Sequence, residues 1–205
     1  MSARAGRSTN QAAKAAVVPA RERLLQAAAR LFYRDGIVAT GIDSLVEQAG
    51  VAKKSLYNNF ASKEALVVDY LEARHAEWLA LHERRLAAAE TPEAAVMAVF
   101  LAYEDHANQA YERGFRGCGL LNAAAELPAG SPGRERVREH KEAVEALLAE
   151  AVARQPGRSP ESAERLAAHL AFLLEGAMAR AGLEGSSARV AEARALAGKL
   201  LEKDA

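Results

Sequence analysis

The spacing of the apolar residues predicts a first helix that begins near Pro19 and ends at Asp35. Its apolar positions recur at intervals of three and four residues, as on one face of an amphipathic helix: Leu24, Ala28, Leu31 and Phe32. Gly36 follows, and a glycine just after a helix commonly takes the left-handed conformation. Residues 1–19 show no such periodicity, which indicates a flexible arm before the helix.

Two short helices are predicted next, with a turn at Gly50 between them. Thr40 is expected to cap the first of these helices, while Asp43 returns a hydrogen bond to the Thr40 amide. The apolar face of this helix consists of Ile42, Leu45, Val46 and Ala49. The second helix is predicted over Lys53–Phe60, and only two of its side chains face inwards, those of Leu56 and Phe60.

The apolar spacing and the helix-start signals predict six more helices. Three of them begin with a hydroxyl residue and a proline, a pair that suits a helix start: Thr91-Pro92, Ser131-Pro132 and Ser159-Pro160. The predicted ranges are Ser62 to about Ala88, 92–112, about Leu120–Leu127, 132–154, 160–182 and Ser186–Lys203. The whole pattern gives about nine helices and no convincing strand, which is an all-α fold.

The composition agrees with a helical globular protein. Half of the residues are apolar and about a quarter are charged, and strong helix formers dominate. We find no secretory signal and no apolar run that approaches the roughly 20 residues needed to span a bilayer. Cys118 is the only cysteine, so an intramolecular disulfide is excluded. We therefore expect a cytoplasmic protein without a membrane partner.

The charge is zero overall but unevenly distributed. Residues 1–63 carry ten Lys/Arg against four Asp/Glu, whereas residues 64–205 carry seventeen against twenty-three. A basic lobe on an acidic body indicates a polyanion-binding end, and chance clustering of solvated arginines is the alternative. Within the arm, Arg4, Arg7 and Lys14 either contact DNA or are solvated.

Two short helices joined by a glycine turn are typical of the helix-turn-helix unit, whose second helix enters the major groove. The polar residues of the second helix point away from the core: Lys53, Lys54, Ser55, Tyr57, Asn58 and Asn59. Lysine can donate to guanine and asparagine can pair with adenine. Thr40, Tyr57 and Lys63 are candidates for phosphate contacts. The alternatives are a partly buried Tyr57, a helix-end role for Asn59 and an ordinary solvated Lys63.

The stretch Arg21–Leu66 resembles the DNA-binding domain of TetR-type regulators. The resemblance is carried by Leu31-Phe32, Gly36, Thr40, Ala49-Gly50-Val51, Ser55-Leu56-Tyr57, Phe60 and Lys63-Glu64-Ala65-Leu66. It implies a helix-turn-helix domain over residues 20–66, after a basic arm over 1–19, and a ligand-binding and dimerisation domain over 67–205. The implied partners are an operator in double-stranded DNA, a second copy of the chain and a largely apolar small-molecule effector. Two departures, Ala52 at the usual capping position and Lys54 at a usually small one, prevent transfer of an operator sequence.

The same resemblance implies that the last two helices form a dimer interface. Both have apolar stripes, and we predict an interface of Leu166, Leu170, Leu173, Leu174, Ala177, Leu196 and Leu200. The alternative is that these stripes belong to the internal core. A ligand cavity is also implied, and its candidate lining residues are Trp78, Phe100, Tyr103, His106 and Phe172, each of which could equally be core.

Cys118 lies in an unusual glycine-containing stretch, residues 115–122, which resembles one found in a subset of TetR-like regulators. It is a further candidate at the cavity, either as a small buried apolar residue or as an electrophile or oxidant sensor activated by Arg116. An enzyme is disfavoured, because nothing orients His106 towards Cys118 and there is no phosphate-binding glycine loop. We expect no metal and no cofactor, since His75 and His82 are too far apart along a helix to share an ion. The sequence therefore predicts a ligand-responsive regulator, with repression as the expected output and a sequence-nonspecific DNA-packaging protein as the rival.

Overall fold

The computed structural model describes residues 18–203, and the regular structure in that range is entirely helical. It confirms the all-α prediction with nine helices: α1 Ala20–Asp35, α2 Ile42–Ala49, α3 Lys53–Asn59, α4 Lys63–Leu86, α5 Pro92–Ala107, α6 Gly119–Glu126, α7 Pro132–Ala153, α8 Pro160–Glu184 and α9 Ala188–Lys203. The arm cations Arg4, Arg7 and Lys14 lie outside the described residues.

Side-chain caps fix the start of four helices. The predicted caps Thr91, Ser131 and Ser159 each accept a backbone N–H from three residues further on, and a proline occupies the first turn in each case. Ser62 caps α4 in the same way, by accepting the Ala65 amide at 3.0 Å. These contacts satisfy N–H groups that the helix itself leaves unpaired.

The capping prediction for α2 is wrong. The residue that precedes this helix is Gly41, which supplies no side-chain cap. Thr40 lies one position too early, and its hydroxyl donates instead to the Gly36 carbonyl at 2.6 Å. Its side chain closes the loop between α1 and α2 and is only 3% exposed.

Helix α5 is shorter than predicted, ending at Ala107 instead of residue 112. The chain then runs back towards α1 in a connecting segment, residues 108–118. Gly114 and Gly117 have φ of 80° and 88° there, a conformation that glycine adopts without strain. The backbone of Gly117 also lies against α8 at Gly182, where a Cβ would come within 2.7 Å of it. The segment is therefore held between α1 and α8.

The core extends without interruption from the first three helices into the larger body. Leu24, Leu45 and Leu56 are fully buried where α1, α2 and α3 meet. Helix α4 runs unbroken across position 66 and carries Leu66, Tyr70 and Trp78 into the same hydrophobic cluster. Helices α5, α7, α8 and α9 complete the body around it. The small amino-terminal unit is thus tied to the rest of the chain through one continuous helix.

Within the described part of the chain, α8 is the one helix whose length and composition would let it cross a membrane. The mean hydropathy of its most apolar 18-residue window is 1.2, and 33% of that window is buried inside the protein. Core helices pass the same test, so this is weak support for a membrane span. Glu175 and Arg180 interrupt the apolar run.

Candidate DNA-binding and ligand-binding sites

The turn between α2 and α3 depends on Gly50. Its backbone is left-handed, with φ 61° and ψ 41°. In that conformation its N–H bonds to the Glu47 carbonyl at 3.0 Å, and the next N–H, of Val51, bonds to Val46 at 3.0 Å. Arg23 of α1 donates to the Gly50 carbonyl at 3.2 Å. The two short helices are therefore held at a fixed angle on α1.

Helix α3 presents one polar face to solvent. Leu56 is fully buried and anchors the helix, whereas the exposed side chains are those of Lys53, Lys54, Tyr57, Asn58 and Asn59. Ser55 is only half-buried. Asn59 donates to the Ser55 carbonyl at 2.7 Å, as expected of a helix-end residue. This face is the arrangement a recognition helix needs, with few residues used for burial.

Lys53 is not a free cation. Its ammonium lies 2.9 Å from Oδ1 of Asp43 on α2, and this hydrogen bond raises the pKa of Lys53. Both side chains are more than half exposed, so the pair is open to competition by a phosphate or a base. Lys54 is exposed beside it.

Thr40 and Lys63 are directed into the protein. The buried hydroxyl of Thr40 is engaged with Gly36, so it does not reach the surface as a phosphate contact requires. The Lys63 ammonium donates to the Ile37 carbonyl at 2.5 Å, and partial burial lowers its pKa. The structure therefore contradicts a surface role for Thr40, while Lys63 would have to leave Ile37 to contact a phosphate.

Two sets of hydrogen bonds join the amino-terminal unit to the body. The Val38 amide donates to Glu126 at the end of α6, at 2.7 Å. On the other side of α1, the Tyr33 hydroxyl donates to the Gly117 carbonyl at 3.2 Å and accepts the Arg116 amide at 2.7 Å. Arg116 also donates to the carbonyls of Tyr33 and Arg34, both at 2.8 Å.

An inner cavity lies between α4, α5, α6 and α7. The structure brings four predicted ligand-binding residues to its wall: Trp78, Tyr103, His106 and Cys118. Its volume is about 20 Å³, which accommodates a single water-sized group. The Trp78 indole is 4% exposed, and its N–H has no hydrogen-bond partner. A buried donor of this kind is costly unless a ligand or water accepts from it.

Two predicted cavity residues lie elsewhere. Phe100 is fully buried in the core and is absent from the wall of the inner cavity. Phe172 is 71% exposed on the outer face of α8. Both predictions are wrong, because an aromatic residue in a helical pattern does not reveal which side of the helix faces a cavity.

The inner cavity is bordered by a polar network that the sequence did not predict. His140 lies 3.3 Å from the Tyr103 hydroxyl and 2.9 Å from His75. Burial and the neighbouring Lys141 lower the pKa of His140 to about 3, so the ring is neutral. Burial likewise lowers the pKa of His106 to about 4. Neutral imidazoles can accept as well as donate hydrogen bonds.

Lys141 connects this network to Cys118. Its ammonium lies 2.6 Å from Glu175 and 3.6 Å from the Cys118 sulfur. Burial opposes its charge, but the groups of Cys118, Tyr103 and Glu175 outweigh that effect and raise the pKa of Lys141. The expectation that Arg116 acts on Cys118 is wrong, since Arg116 is bonded to carbonyls of α1.

The predicted dimer residues divide between the core and the surface. Leu166, Leu170 and Leu174 are at most 3% exposed inside the protomer, so they cannot form an interface. The opposite side of α8 and the adjacent side of α9 form an open outer groove, which includes Phe172, Leu173, Gly176, Ala177, Ala193 and Leu196. Leu173, Ala177 and Leu196 of the predicted set border this outer groove, and Leu200 is half-buried.

Two known protein families match the chain. The family described as bacterial regulatory proteins, tetR family, matches residues 24–70, and the tetracyclin repressor-like C-terminal domain matches residues 92–197. A TetR-family transcriptional regulator from Streptomyces coelicolor has a similar structure, with a TM-score of 0.80 and 30% identity over 91% of this chain and 90% of that one. The chain belongs to the TetR family. Proteins of this family are DNA-binding regulators and not enzymes.

Two curated relatives in the TetR family match a smaller part of the chain. The HTH-type transcriptional repressor KstR2 of Mycolicibacterium smegmatis is 34% identical over 83 residues, which is 40% of this chain and 40% of KstR2. The uncharacterized HTH-type transcriptional regulator YerO of Bacillus subtilis is 36% identical over 52 residues, or 18% of its length. The matches thus span well under two thirds of either relative.

Four polar residues at or beside the inner cavity were not predicted from the sequence, and the physical reason is the same for each. Arg74 and His140 line the inner cavity, Lys141 and Glu175 form the ion pair beside it, and together they come from three different helices. In the sequence these residues lie among other charged residues on amphipathic helices, so nothing distinguishes them from solvent-exposed charges. The one signal in the sequence is a charged residue whose neighbours on the same helix face are all apolar. Glu175 is an example, since the residues three and four positions away are Ala171, Phe172, Met178 and Ala179.

Proposed function

We propose that this protein is a ligand-responsive transcriptional regulator that binds a palindromic operator as a homodimer. The observation that carries the proposal is the exposed polar face of α3 on a rigid three-helix unit. Lys54, Tyr57 and Asn58 are available there for phosphates and base edges, and Lys53 can join them by leaving Asp43. We expect repression, the activity stated in the name of KstR2, because an occupied operator blocks transcription.

The outer groove between α8 and α9 supports the homodimer. Phe172 is 71% exposed and Leu183, farther along the same face of α8, is 86% exposed. Leu196 of α9 is 46% exposed at the edge of the outer groove. Packing this face against its own copy would give a symmetric four-helix interface. Two α3 helices would then meet successive major grooves about 34–36 Å apart.

The dimer is tested by sedimentation of the Phe172→Glu variant, which we expect to be monomeric. Leu121→Glu, at a partly exposed apolar position on α6, is the matched control and should leave the dimer intact. A Phe172→Glu protein that still sediments as a dimer would place the interface elsewhere.

Helix α6 offers a route from ligand to DNA. Its first residues, Gly119 and Leu120, line the inner cavity. Its last residue, Glu126, accepts the Val38 amide in the loop before α2. A ligand that displaces the start of α6 would move its end as a rigid body, and with it the loop. Such a ligand lowers operator affinity only as far as it binds the DNA-incompetent arrangement better.

The decisive experiment is selection of bound sequences from a randomised DNA library, followed by titrations of the best binder at several salt concentrations. A symmetric site with two half-sites would support the proposed regulator. Weak, strongly salt-dependent binding without a consensus would support the rival packaging protein, because phosphate contacts alone carry no sequence information.

A second candidate function is sensing by Cys118, favoured by the cation 3.6 Å from its sulfur. Reactive cysteines lie in electropositive surroundings, and Cys118 also lines the inner cavity. The Cys118→Ser variant tests this function. Loss of the response to an electrophile, with the response to non-covalent ligands kept, would support sensing. An unchanged response to every effector would exclude it.

A further inference from the structure

A cleft separates α1 from the connecting segment, outside the inner cavity. Its volume is about 470 Å³, within the range of small-molecule sites. Five arginines line it: Arg30, Arg34, Arg74, Arg113 and Arg116. Glu112 is the one carboxylate among its lining residues. We call this region the arginine cleft.

The cations of the arginine cleft outnumber the carboxylates that pair with them. Arg30 and Arg34 both bind Glu112, the second at 3.2 Å. Asp35 accepts from Arg34 at 2.7 Å and from Arg113 at 2.9 Å. Arg74 pairs with Glu77, and Arg116 is bonded to backbone carbonyls only. Four guanidinium groups thus share three carboxylates and the fifth, Arg116, pairs with none, and this excess of positive charge favours an anion.

The arginine cleft adjoins the inner cavity, because Tyr33, Arg74 and Gln109 line both. Two buried donors at the junction have no partner: Nε of Arg74 and the indole N–H of Trp78. Both would gain from an acceptor on a bound molecule. Tyr33 and Tyr111 stack on each other at the wall with ring centroids 4.5 Å apart, and both line the arginine cleft, so an aromatic ring bound there would contact them.

We propose that the arginine cleft binds a planar aromatic carboxylate as the effector. The carboxylate pairs with Arg30, Arg34 and Arg74, and the ring lies beside Tyr33 and Tyr111 with its far edge towards Trp78. Guanidinium groups are suited to this role, because they bind carboxylates through two parallel hydrogen bonds. The inference rests on the proposed function, since it names the ligand class to which the regulator responds.

Binding there would act on α1 directly. The bound carboxylate competes with Glu112 for Arg30 and Arg34, and these ion pairs hold the connecting segment to α1. Their release frees α1, and with it the three-helix unit, to move relative to the body. The effector therefore lowers operator affinity by separating the two sides of the arginine cleft.

The test compares carboxylates with their neutral amides. Benzoate and naphthoate, and benzamide and naphthamide as the uncharged partners, are titrated by calorimetry into the full chain. Trp78 is the only tryptophan, so its single indole N–H signal in a nitrogen-15 NMR spectrum reports on the inner end of the site. We expect at least one acid to bind about tenfold more tightly than its amide and to shift that signal.

Variants separate the charge effect from a change in folding. Arg30→Gln and Arg74→Gln should each weaken binding of the acid about tenfold without affecting the amide, as loss of a charge-assisted hydrogen bond implies. Arg84→Gln, an exposed arginine on the same helix as Arg74, is the matched control and should change neither. Arg74→Lys should recover part of the lost affinity. Thermal unfolding shows that each variant is folded.

The outcomes distinguish this inference from the proposed function. Equal binding of acids and amides, or binding of neither, would overturn the aromatic carboxylate even where the library selection yields a symmetric operator. Selective binding of an acid that Arg30→Gln weakens about tenfold would support the ligand class even where no operator is found. With an operator in hand, the same acid should release the DNA and fail to do so in the Arg30→Gln variant.

Discussion

The backbone amide of Val38 donates a 2.7 Å hydrogen bond to Oε2 of Glu126, so the loop before α2 is bound to the last residue of α6. The Glu126 carboxylate also lies against Gly36, where an added Cβ would approach Oε1 to 2.7 Å. Gly36 has no Cβ and so leaves room for this approach, and its φ of 96° is a second reason for a glycine here. The contact connects the helix-turn-helix unit to a helix that begins at the inner cavity.

Replacing Glu126 should uncouple ligand from DNA. In Glu126→Ala the Val38 amide loses its acceptor, so movement of α6 no longer pulls on the loop. In both proteins the effector lowers operator affinity, but we expect the fold-change in Glu126→Ala to be about one tenth of that in the unmodified protein. A tenfold loss of coupling lies within the usual range of coupling free energies. Fluorescence anisotropy of a labelled operator, with and without effector, measures the two affinities. Glu90→Ala, at an exposed position after α4, is the control. If the effector changed operator affinity equally in Glu126→Ala and Glu90→Ala, Glu126 would not transmit the ligand signal to the DNA-binding unit.

The exposed face of α3 should separate base reading from phosphate binding. Asn58→Ala should reduce discrimination between the selected site and single-base variants by about 1–3 kcal/mol at one position, because a bidentate contact to a base is lost. Lys54→Ala should weaken binding to every sequence and reduce the salt slope by about 1. Titrations at several salt concentrations measure both quantities. Identical profiles for the two variants would contradict this division of roles.

Local sequence patterns predicted most of the fold because helix starts and apolar periodicity are local properties. Thr91, Ser131 and Ser159 cap helices as expected, and Gly50 forms the expected turn. The error at Thr40 is a shift of one residue, decided by a carbonyl four positions earlier. Such a competition between two hydrogen bonds cannot be read from residue type.

The candidate sites were less predictable because they depend on which face of each helix is covered. Phe172 and Leu174 are two positions apart on α8, yet one is 71% exposed and the other fully buried. The arginine cleft was missed for a related reason. It combines α1 with the connecting segment, of which the pattern predicted residues 108–112 to be part of α5, and the pairing of Arg30 with Glu112 exists only after the chain turns back.

Gly182 should be intolerant of a side chain. In Gly182→Ala the new Cβ would lie 2.7 Å from the Gly117 Cα and 2.8 Å from the Arg116 carbonyl carbon, and backbone atoms cannot move aside cheaply. We expect a loss of about 1–3 kcal/mol in the free energy of unfolding. Urea unfolding measures it. Gly198→Ala on α9 is the control, since nothing lies within 4 Å of its Cβ position and helix propensity should stabilise it by up to about 1 kcal/mol. Equal stability of the two variants would contradict the close packing of α8 against the connecting segment.

His106 should make the folded state sensitive to mild acid. Burial lowers its pKa from 6.5 to about 4 in the folded protein, so the unfolded chain binds a proton first as the pH falls. Stability is therefore complete above about pH 6.5 and is lost towards pH 4, by up to about 1.4 kcal/mol per pH unit from this residue. In His106→Gln the decline over this window should become shallower in urea unfolding. His169→Gln, at an exposed position on α8, should leave the decline unchanged. A decline as steep in His106→Gln as in the original chain would mean that other groups account for it.

Ala52 leaves the start of α3 without a side-chain cap, although its backbone is extended, with φ −72° and ψ 149°, as a capping residue requires. Ala52→Ser should place a hydroxyl within reach of the Lys54 or Ser55 amides and raise the free energy of unfolding by about 1 kcal/mol. Urea unfolding measures the gain, and Ala88→Ser, at an exposed position after the end of α4, controls for the substitution itself. A better-ordered α3 should also bind its operator more tightly, because the helix loses less conformational entropy when it binds DNA. A gain in stability with unchanged operator affinity would show that α3 is already fully ordered in the free protein.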